Sequence, residues 1–261
     1  MDKITTQIDN RGVAQVTLNN PDKHNAFDDQ MIIQLTDAFN AIAANPAVRI
    51  MLLTSEGKSF SAGADLSWMK RMAGYSYQEN LNDAHALAAM LKVLQQIPIP
   101  TIVRVQGAAF GGAVGLISCC DIAVASSKAS FALSEVKIGL VPSTISPYVI
   151  AAIGERQAKR YFMTAEHFDA NTALQMGLVH EAVDEQLLVG KIEQLVGLIL
   201  SNGPEAVAAA KQLVLAVSGK AIDSTLIEHT CEVIAGIRVS EQGQEGLNAF
   251  LEKRKPNWLK D

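Results

Sequence analysis

The groups best suited to chemistry in this sequence are two glycine-rich turns and one glutamate. Gly57–Leu66 reads G-K-S-F-S-A-G-A-D-L and Gly107–Leu116 reads G-A-A-F-G-G-A-V-G-L. Each carries Gly, then Phe three residues on, a patch of small residues, and Leu nine residues on. Small residues let a ligand approach the main chain, and a helix start behind them offers unpaired N–H donors with a favourable dipole. Two such turns on neighbouring strands could aim two N–H groups at one oxygen, which is what an oxyanion hole requires. The same residues would also serve close helix packing, and the spacing alone leaves both readings open. Neither turn contains G-x-G-x-x-G or ends in Gly-Lys-Ser/Thr, so neither is a dinucleotide or phosphate loop.

The glutamate is Glu135. In Phe131-Ala132-Leu133-Ser134-Glu135, strand alternation places Phe131, Leu133 and Glu135 on one face, so the carboxylate shares a side with two large apolar groups. A carboxyl pressed against apolar surface is harder to ionise, which suits a residue that must take and give a proton near neutrality. A chain reversal would instead turn it to water. His24, His85, His167, His180 and His229 show no metal-ligand spacing, so no metal site is expected. No G-x-S-x-G elbow supports a serine nucleophile.

Strands and helices must hold these groups. Residues 3–8 and 13–18 alternate around Asn10-Arg11-Gly12 and predict a hairpin. From Asp28 to Ala44, Met31, Ile32, Leu35, Phe39 and Ile42 fall at helical spacing behind Asp28 and Asp29. Ile50–Thr54 reads as a strand buried on both faces, the type found in parallel sheets. Residues 55–65 read as a loop, followed by a long helical stretch to about Gln96 that Pro98 and Pro100 end. Thr101–Gln106 and Asp121–Ala125 are further buried strands, which together predict an α/β core. After Val179–Val183 only helical periodicity remains, and Pro204 sits at a helix start, where its missing N–H costs nothing. The expected division is a core over residues 1–203 and a helical module over 204–261.

Lys and Arg number 22 against 27 Asp and Glu, a net charge of −5, and 49 % of residues are hydrophobic. Such a chain folds, and it lacks the clustered cations that nucleic acid requires. Its longest uncharged run, between Arg104 and Asp121, is broken by glycines and too short to span a bilayer. Three cysteines, two of them adjacent at Cys119 and Cys120, form no disulfide framework, and residues 1–7 do not resemble a signal peptide. A cytoplasmic protein without membrane or nucleic-acid partners is the expectation.

At these same residues the sequence resembles the crotonase (enoyl-CoA hydratase/isomerase) superfamily. The segments are N-N-P-D-K-H-N-A-F at 19–27, F-S-A-G-A-D-L at 60–66, Q-G-A-A-F-G-G-A-V-G-L at 106–116, C-D-I-A-V-A at 120–125, F-A-L-S-E-V-K-I-G-L-V-P at 131–142 and F-L-E-K-R-K-P-N-W at 250–258. The resemblance implies a spiral of β-β-α units with a C-terminal helical trimerisation module, assembled as a homotrimer or homohexamer. It implies an acyl-CoA thioester as substrate, with no cofactor beyond the coenzyme A that the substrate carries. The N–H groups of Ala64 and Gly112 fall at the oxyanion hole, and Glu135 at the position of one family glutamate. Lys23, His24 and Ala26, with Ala62, Asp65 and Leu66, fall where the family holds the nucleotide and pantetheine. Trp258 and Lys260 resemble a tail that touches coenzyme A, and Ser143, Ser146 and Tyr148 lie near the family's pocket wall.

One position departs from the pattern. Where two-glutamate hydratases carry their other glutamate, three residues after the oxyanion glycine, this chain has Gly115. The stretch at 134–155 looks most like bacterial methylglutaconyl-CoA hydratases and the related carboxygeranoyl-CoA hydratases. The resemblance therefore implies addition of water across the 2,3 double bond of an acyl-CoA, with 3-methylglutaconyl-CoA or a related branched ester as substrate. Isomerisation by the single glutamate is the alternative. A noncatalytic, RNA-associated member of the fold is a third class, which the charge of −5 disfavours.

Overall fold

The computed structural model describes residues 2–259. The chain opens with a hairpin, β1 (Ile4–Ile8) and β2 (Val13–Leu18), and then α1 (Asp29–Ala43). Asp28 caps α1 by accepting the Met31 N–H at 2.9 Å, and Met31, Ile32, Leu35, Phe39 and Ile42 are the face it buries. The chain then makes three similar circuits, each a long strand, a short strand and a helical segment. The first is β3 (Ile50–Ser55), β4 (Ser59–Ser61), α2 (Leu66–Met72) and α3 (Tyr77–Gln96). The second is β5 (Thr101–Val105), β6 (Ala108–Phe110) and α4 (Gly112–Cys119). The third is β7 (Ile122–Ser126), β8 (Ser130–Ala132), a 3-10 turn at Glu135–Ile138 and α5 (Ser146–Thr164). Then follow β9 (Phe168–Asp169), α6 (Ala170–Met176), β10 (Glu181–Val183), and the helices α7 (Leu188–Leu200), α8 (Pro204–Val217), α9 (Ser224–Val239) and α10 (Glu241–Glu252).

Long and short strands sort into two sheets. The larger has the order β1-β2-β3-β5-β7-β10, parallel except for the opening hairpin. The smaller has the order β4-β6-β8-β9, with β4, β6 and β8 parallel and β9 antiparallel. This is the spiral of β-β-α units that the resemblance implies. Every residue of β3 is buried, the apolar run Ile50–Leu53 and the polar Thr54 and Ser55 alike. The short strands β4 and β6 lie inside stretches that read as a loop and as a glycine-rich segment. Three residues are too few for alternation to show in sequence.

Successive circuits nest through two residues. Gln106 Nε2 donates to Ser55 Oγ at 2.8 Å and lies 3.1 Å from the Gly57 carbonyl, tying the β5–β6 corner to the β3–β4 corner. Beside it, a Cβ on Gly107 would stand 1.9 Å from the Lys58 carbonyl oxygen, so no other residue fits without moving the backbone. At the opposite end of two long strands, Asp121 Oδ2 accepts both the N–H (2.7 Å) and the hydroxyl (2.9 Å) of Thr101.

Contacts divide the chain into two compact units. One runs to Ile97 and over Thr101–Ile192; the other comprises Pro98–Pro100 and the residues from Glu193 onward. The division falls inside α7, one helix earlier than the Gly203-Pro204 junction that composition marks, because helical periodicity gives no sign of which unit a helix packs on. In the second unit, Trp258 donates its indole N–H to the Ser201 carbonyl at 3.2 Å, and its ring abuts Gly246 and Gly203. Arg254 forks onto Glu245 at 2.7 Å from each terminal nitrogen, and this pairing pulls the Glu245 carboxyl down to about 2. Among the described residues no helix is long and apolar enough to cross a membrane.

Gly107→Ala is expected to lower the free energy of unfolding by about 1–3 kcal/mol, the usual cost of forcing atoms into filled space. Urea unfolding followed by circular dichroism measures it; an unchanged midpoint would mean that the corners are free to separate.

Candidate active site

The first corner is built by a ribbon pairing Asn20–Phe27 with Ser59–Asp65. His24 and Asn25 both occupy the left-handed region, with φ of 50° and 53°. Asn25 is fully buried, and its side chain accepts the Asn20 N–H (2.8 Å) and donates to the carbonyls of Glu56 (2.8 Å) and Ser59 (3.1 Å). Those bonds hold the backbone in a conformation that non-glycine residues seldom adopt. Ala62 N–H donates to the His24 carbonyl at 2.9 Å, Phe27 N–H to Gly63 at 2.7 Å, and Asp65 N–H to Phe27 at 2.7 Å. Ala64 is bridged to Phe27 by its two neighbours, so its own N–H faces away from the ribbon, and it has no acceptor among the described residues.

The second corner follows β6. Gly111, at φ 54°, donates its N–H to the Ala132 carbonyl at 2.9 Å, and Gly112 opens α4. The Gly112 N–H likewise has no acceptor among the described residues, as a first-turn amide must not if it is to serve a ligand. Gly63 brings the corners together: at φ 91°, its missing Cβ would lie 3.3 Å from the Phe110 carbonyl oxygen.

Glu135 closes the third corner. Strand alternation does not carry it there, contrary to expectation. β8 stops at Ala132, Ser134 takes ψ of 3°, and Glu135 begins the 3-10 turn that Gly139 ends at φ 76°. The side chain still reaches an apolar setting. Its Oε1 lies 3.2 Å from where a Gly111 Cβ would stand, a close approach to that turn, and its Oε2 is buried without a hydrogen-bond partner. Burial pushes the Glu135 carboxyl above the usual range. Two free amides and a proton-carrying carboxyl on adjacent corners can stabilise an enolate while moving a proton beside it.

Residues 9–261 match the enoyl-CoA hydratase/isomerase family. The chain belongs to that family. It is 48 % identical to an enoyl-CoA hydratase from Shewanella pealeana of known structure, covering 98 % of this chain and 96 % of that one with a TM-score of 0.95. It is 31 % identical to the crotonyl-CoA hydratase of Syntrophomonas wolfei, over 95 % of this chain and 94 % of the relative. It is 29 % identical to the 2,3-dehydroadipyl-CoA hydratase of Escherichia coli, over 94 % of each. The architecture is that of the crotonase fold.

The other positions that the resemblance names lie in different parts of the structure. Lys23, His24, Ala26, Ala62 and Asp65 come together in the ribbon. There the Asp65 carboxylate is already engaged: Oδ2 holds Lys23 Nζ at 2.9 Å, and Oδ1 caps α2 through the N–H groups of Ser67 (2.8 Å) and Trp68 (3.1 Å). Its pKa is lowered first by the Lys23 ammonium, so it acts as a brace for Lys23. Leu66 next to it is 81 % exposed. Ser143 is exposed, and its carbonyl accepts the N–H and hydroxyl of Ser146 at 3.1 and 2.7 Å. Trp258 spends its N–H and ring inside the helical unit. Lys260 lies outside the described residues.

Gly115 stands apart from that pattern. A Cβ there would lie 2.3 Å from Ile145 Cγ2 and 2.8 Å from Ile145 Cβ. The position of the absent glutamate is therefore sealed by a fully buried isoleucine, and Gly115 serves the packing of α4 on the start of α5. Ile145 carries no signal in the sequence, and Asn25 and Phe27 carry one only as members of the 19–27 segment. Nothing there links Ile145 to a glycine thirty residues earlier.

A Glu135 that acts as a base would work as the carboxylate, the form that burial disfavours. The acid limb of kcat/KM is therefore expected above the ~4.3 of an ordinary glutamate, with activity lost as pH falls through the raised value. Glu135→Gln should lose at least ~10²-fold in kcat and show no such limb. A raised folded-state pKa means that ionisation costs stability above it and nothing below the unfolded value. The glutamine variant is thus expected to unfold no more easily than wild type at neutral pH.

Proposed function

We propose that this protein is an enoyl-CoA hydratase that adds water across the 2,3 double bond of an acyl-CoA thioester. The observation that carries the reading is that the amides of Ala64 and Gly112 have no acceptor among the described residues, on corners adjacent to the unpartnered Oε2 of Glu135. The thioester oxygen sits between the two N–H groups. As the carbonyl becomes an enolate its negative charge grows, and both bonds strengthen where no reorganisation is needed. Glu135 takes a proton from water as the oxygen bonds to Cβ, and returns a proton to Cα as the enolate collapses. The carboxyl is neutral between those steps, the state its burial favours. The ribbon of Lys23, His24, Ala26, Ala62 and Leu66 holds the coenzyme A portion, with Asp65 fixing Lys23.

Isomerisation is the second reading, supported by Gly115, where a Cβ would stand 2.3 Å from Ile145 Cγ2, so that no second glutamate stands at that position to share the proton work of Glu135. The named relatives differ in their acyl groups, and 3-methylglutaconyl-CoA as substrate rests on the likeness of residues 134–155 alone. Incubation with crotonyl-CoA, 3-methylglutaconyl-CoA and a 3-enoyl-CoA tests all three points. Hydration adds the mass of one water; isomerisation leaves mass unchanged. We expect the gain of water with a 2-enoyl ester, and conversion of the 3-enoyl ester alone, at unchanged mass, would reverse the assignment.

We further propose that the protein assembles as a homotrimer or homohexamer through its helical unit. Val214, Ile222, Val239, Phe250 and Leu251 there are 64–87 % exposed, an apolar surface that a second copy would cover. Size-exclusion chromatography with light scattering should give a trimer or hexamer, and removal of residues 205–261 should leave insoluble or inactive material. A fully active monomer of either length would contradict this assembly.

A further inference from the structure

The two amides belong to separate corners, and one residue touches both. Phe27 clasps the first by its main chain: its N–H donates to Gly63 and its carbonyl accepts from Asp65, each at 2.7 Å, which fixes Ala64 between them. It meets the second with its ring. A Cβ on Gly112 would stand 3.6 Å from Phe27 Cδ2 and 3.7 Å from Cε2, ordinary contact distance, so the ring edge lies against the first residue of α4. Phe27 is 3 % exposed, which leaves the ring no alternative place.

We propose that Phe27 is the positioning residue that sets the separation of the Ala64 and Gly112 amides. It does so as a rigid spacer, with its backbone locked to one corner and its ring stopping the other. A planar ring has few rotamers and does not shorten, unlike an aliphatic chain of similar bulk. The approach is of ordinary contact length, so the ring edge and the start of α4 rest against each other without strain. This inference rests on reading the amides as an oxyanion hole.

Phe27→Leu tests it, because leucine keeps the backbone clasp and loses the ring edge that faces Gly112. Three quantities are read: kcat and KM with the 2-enoyl ester that wild type converts, the melting temperature, and the infrared carbonyl stretch of bound butyryl-CoA isotopically labelled at its thioester carbon. In wild type the two N–H groups should lower that stretch relative to free ester. In the leucine variant we expect kcat to fall about tenfold or more, since small misplacements at a reacting centre cost up to ~10². KM should stay within about threefold, and the carbonyl shift should shrink. Phe39→Leu, a buried change in α1 outside the site, is the control. It should lower the melting temperature and leave kcat and the carbonyl shift at wild-type values. If the leucine variant is insoluble, Phe27→Met, which retains more reach, takes its place with the same expectations.

A wild-type carbonyl shift that persists undiminished in the Phe27 variant, with unchanged kcat, overturns the spacer. So does a rise in KM with kcat intact, which would make Phe27 a ground-state binding residue. Absence of any shift in wild type would overturn the oxyanion reading itself, and the spacer with it.

Discussion

Parallel pairing of the three short strands β4, β6 and β8 is the constraint on which the site depends. Their register sets Ser61 beside Ala109 and Ala109 beside Phe131. Three residues beyond that row stand Ala64, Gly112 and Ser134, with Glu135 next. Neighbouring strands lie about 4.8 Å apart, so three chain corners stack at that spacing. Two corners present backbone donors and the third presents a carboxyl. The larger sheet makes this possible by returning the chain to the same end of the strands after every helix, as parallel connections must. Gln106 and Gly107 keep the returns in step, one by hydrogen bonds across the corners and the other by the absence of a side chain.

Charge is handled differently at the ribbon and at the third corner. At the ribbon Lys23 and Asp65 answer each other, and Asp65 also satisfies two first-turn amides of α2, so both of its oxygens are engaged. At the third corner the Glu135 Oε2 has none, and a buried oxygen without a partner costs stability. Structural positions do not retain such a group unless something else compensates. The contrast supports the proposed roles, Glu135 as the reactive carboxyl and Asp65 as a brace, although both fall within the motifs that resemble the family.

Much of this was legible in the sequence, and the reasons differ by element. The buried face of α1 and the doubly buried β3 follow from apolar spacing, because burial there is set by local periodicity. The glycine turns were visible as composition, and their adjacency only through resemblance, since pairing of three-residue strands leaves no periodic trace. Glu135 was found by an alternation that the chain does not follow: Ser134 and Gly139 turn it into the site by a 3-10 bend. Ile145 over Gly115 and the ring of Phe27 against Gly112 are contacts across long sequence separations, and neither residue carries a chemical group that would draw attention.

The seal at Gly115 bears on how a single carboxyl completes a two-proton task. Addition of water removes a proton from oxygen and delivers one to Cα, and isomerisation removes a proton from one carbon and delivers one to another. Neither requires two carboxylates if the same group faces both atoms in turn. Glu135 is suited to that because burial brings its two protonation states closer in energy near neutrality, so that loading and unloading it are both accessible. The Gly115 position adds no charge to that balance, since Ile145 fills it. A second carboxylate there would raise the pKa of the pair further by repulsion and would compete for the water. The isoleucine fixes the helix pair without adding charge. What then selects between the reactions is which atom the acyl group leaves opposite Oε2, so the choice lies with the shape of the wall around the ester, while the corner geometry serves both.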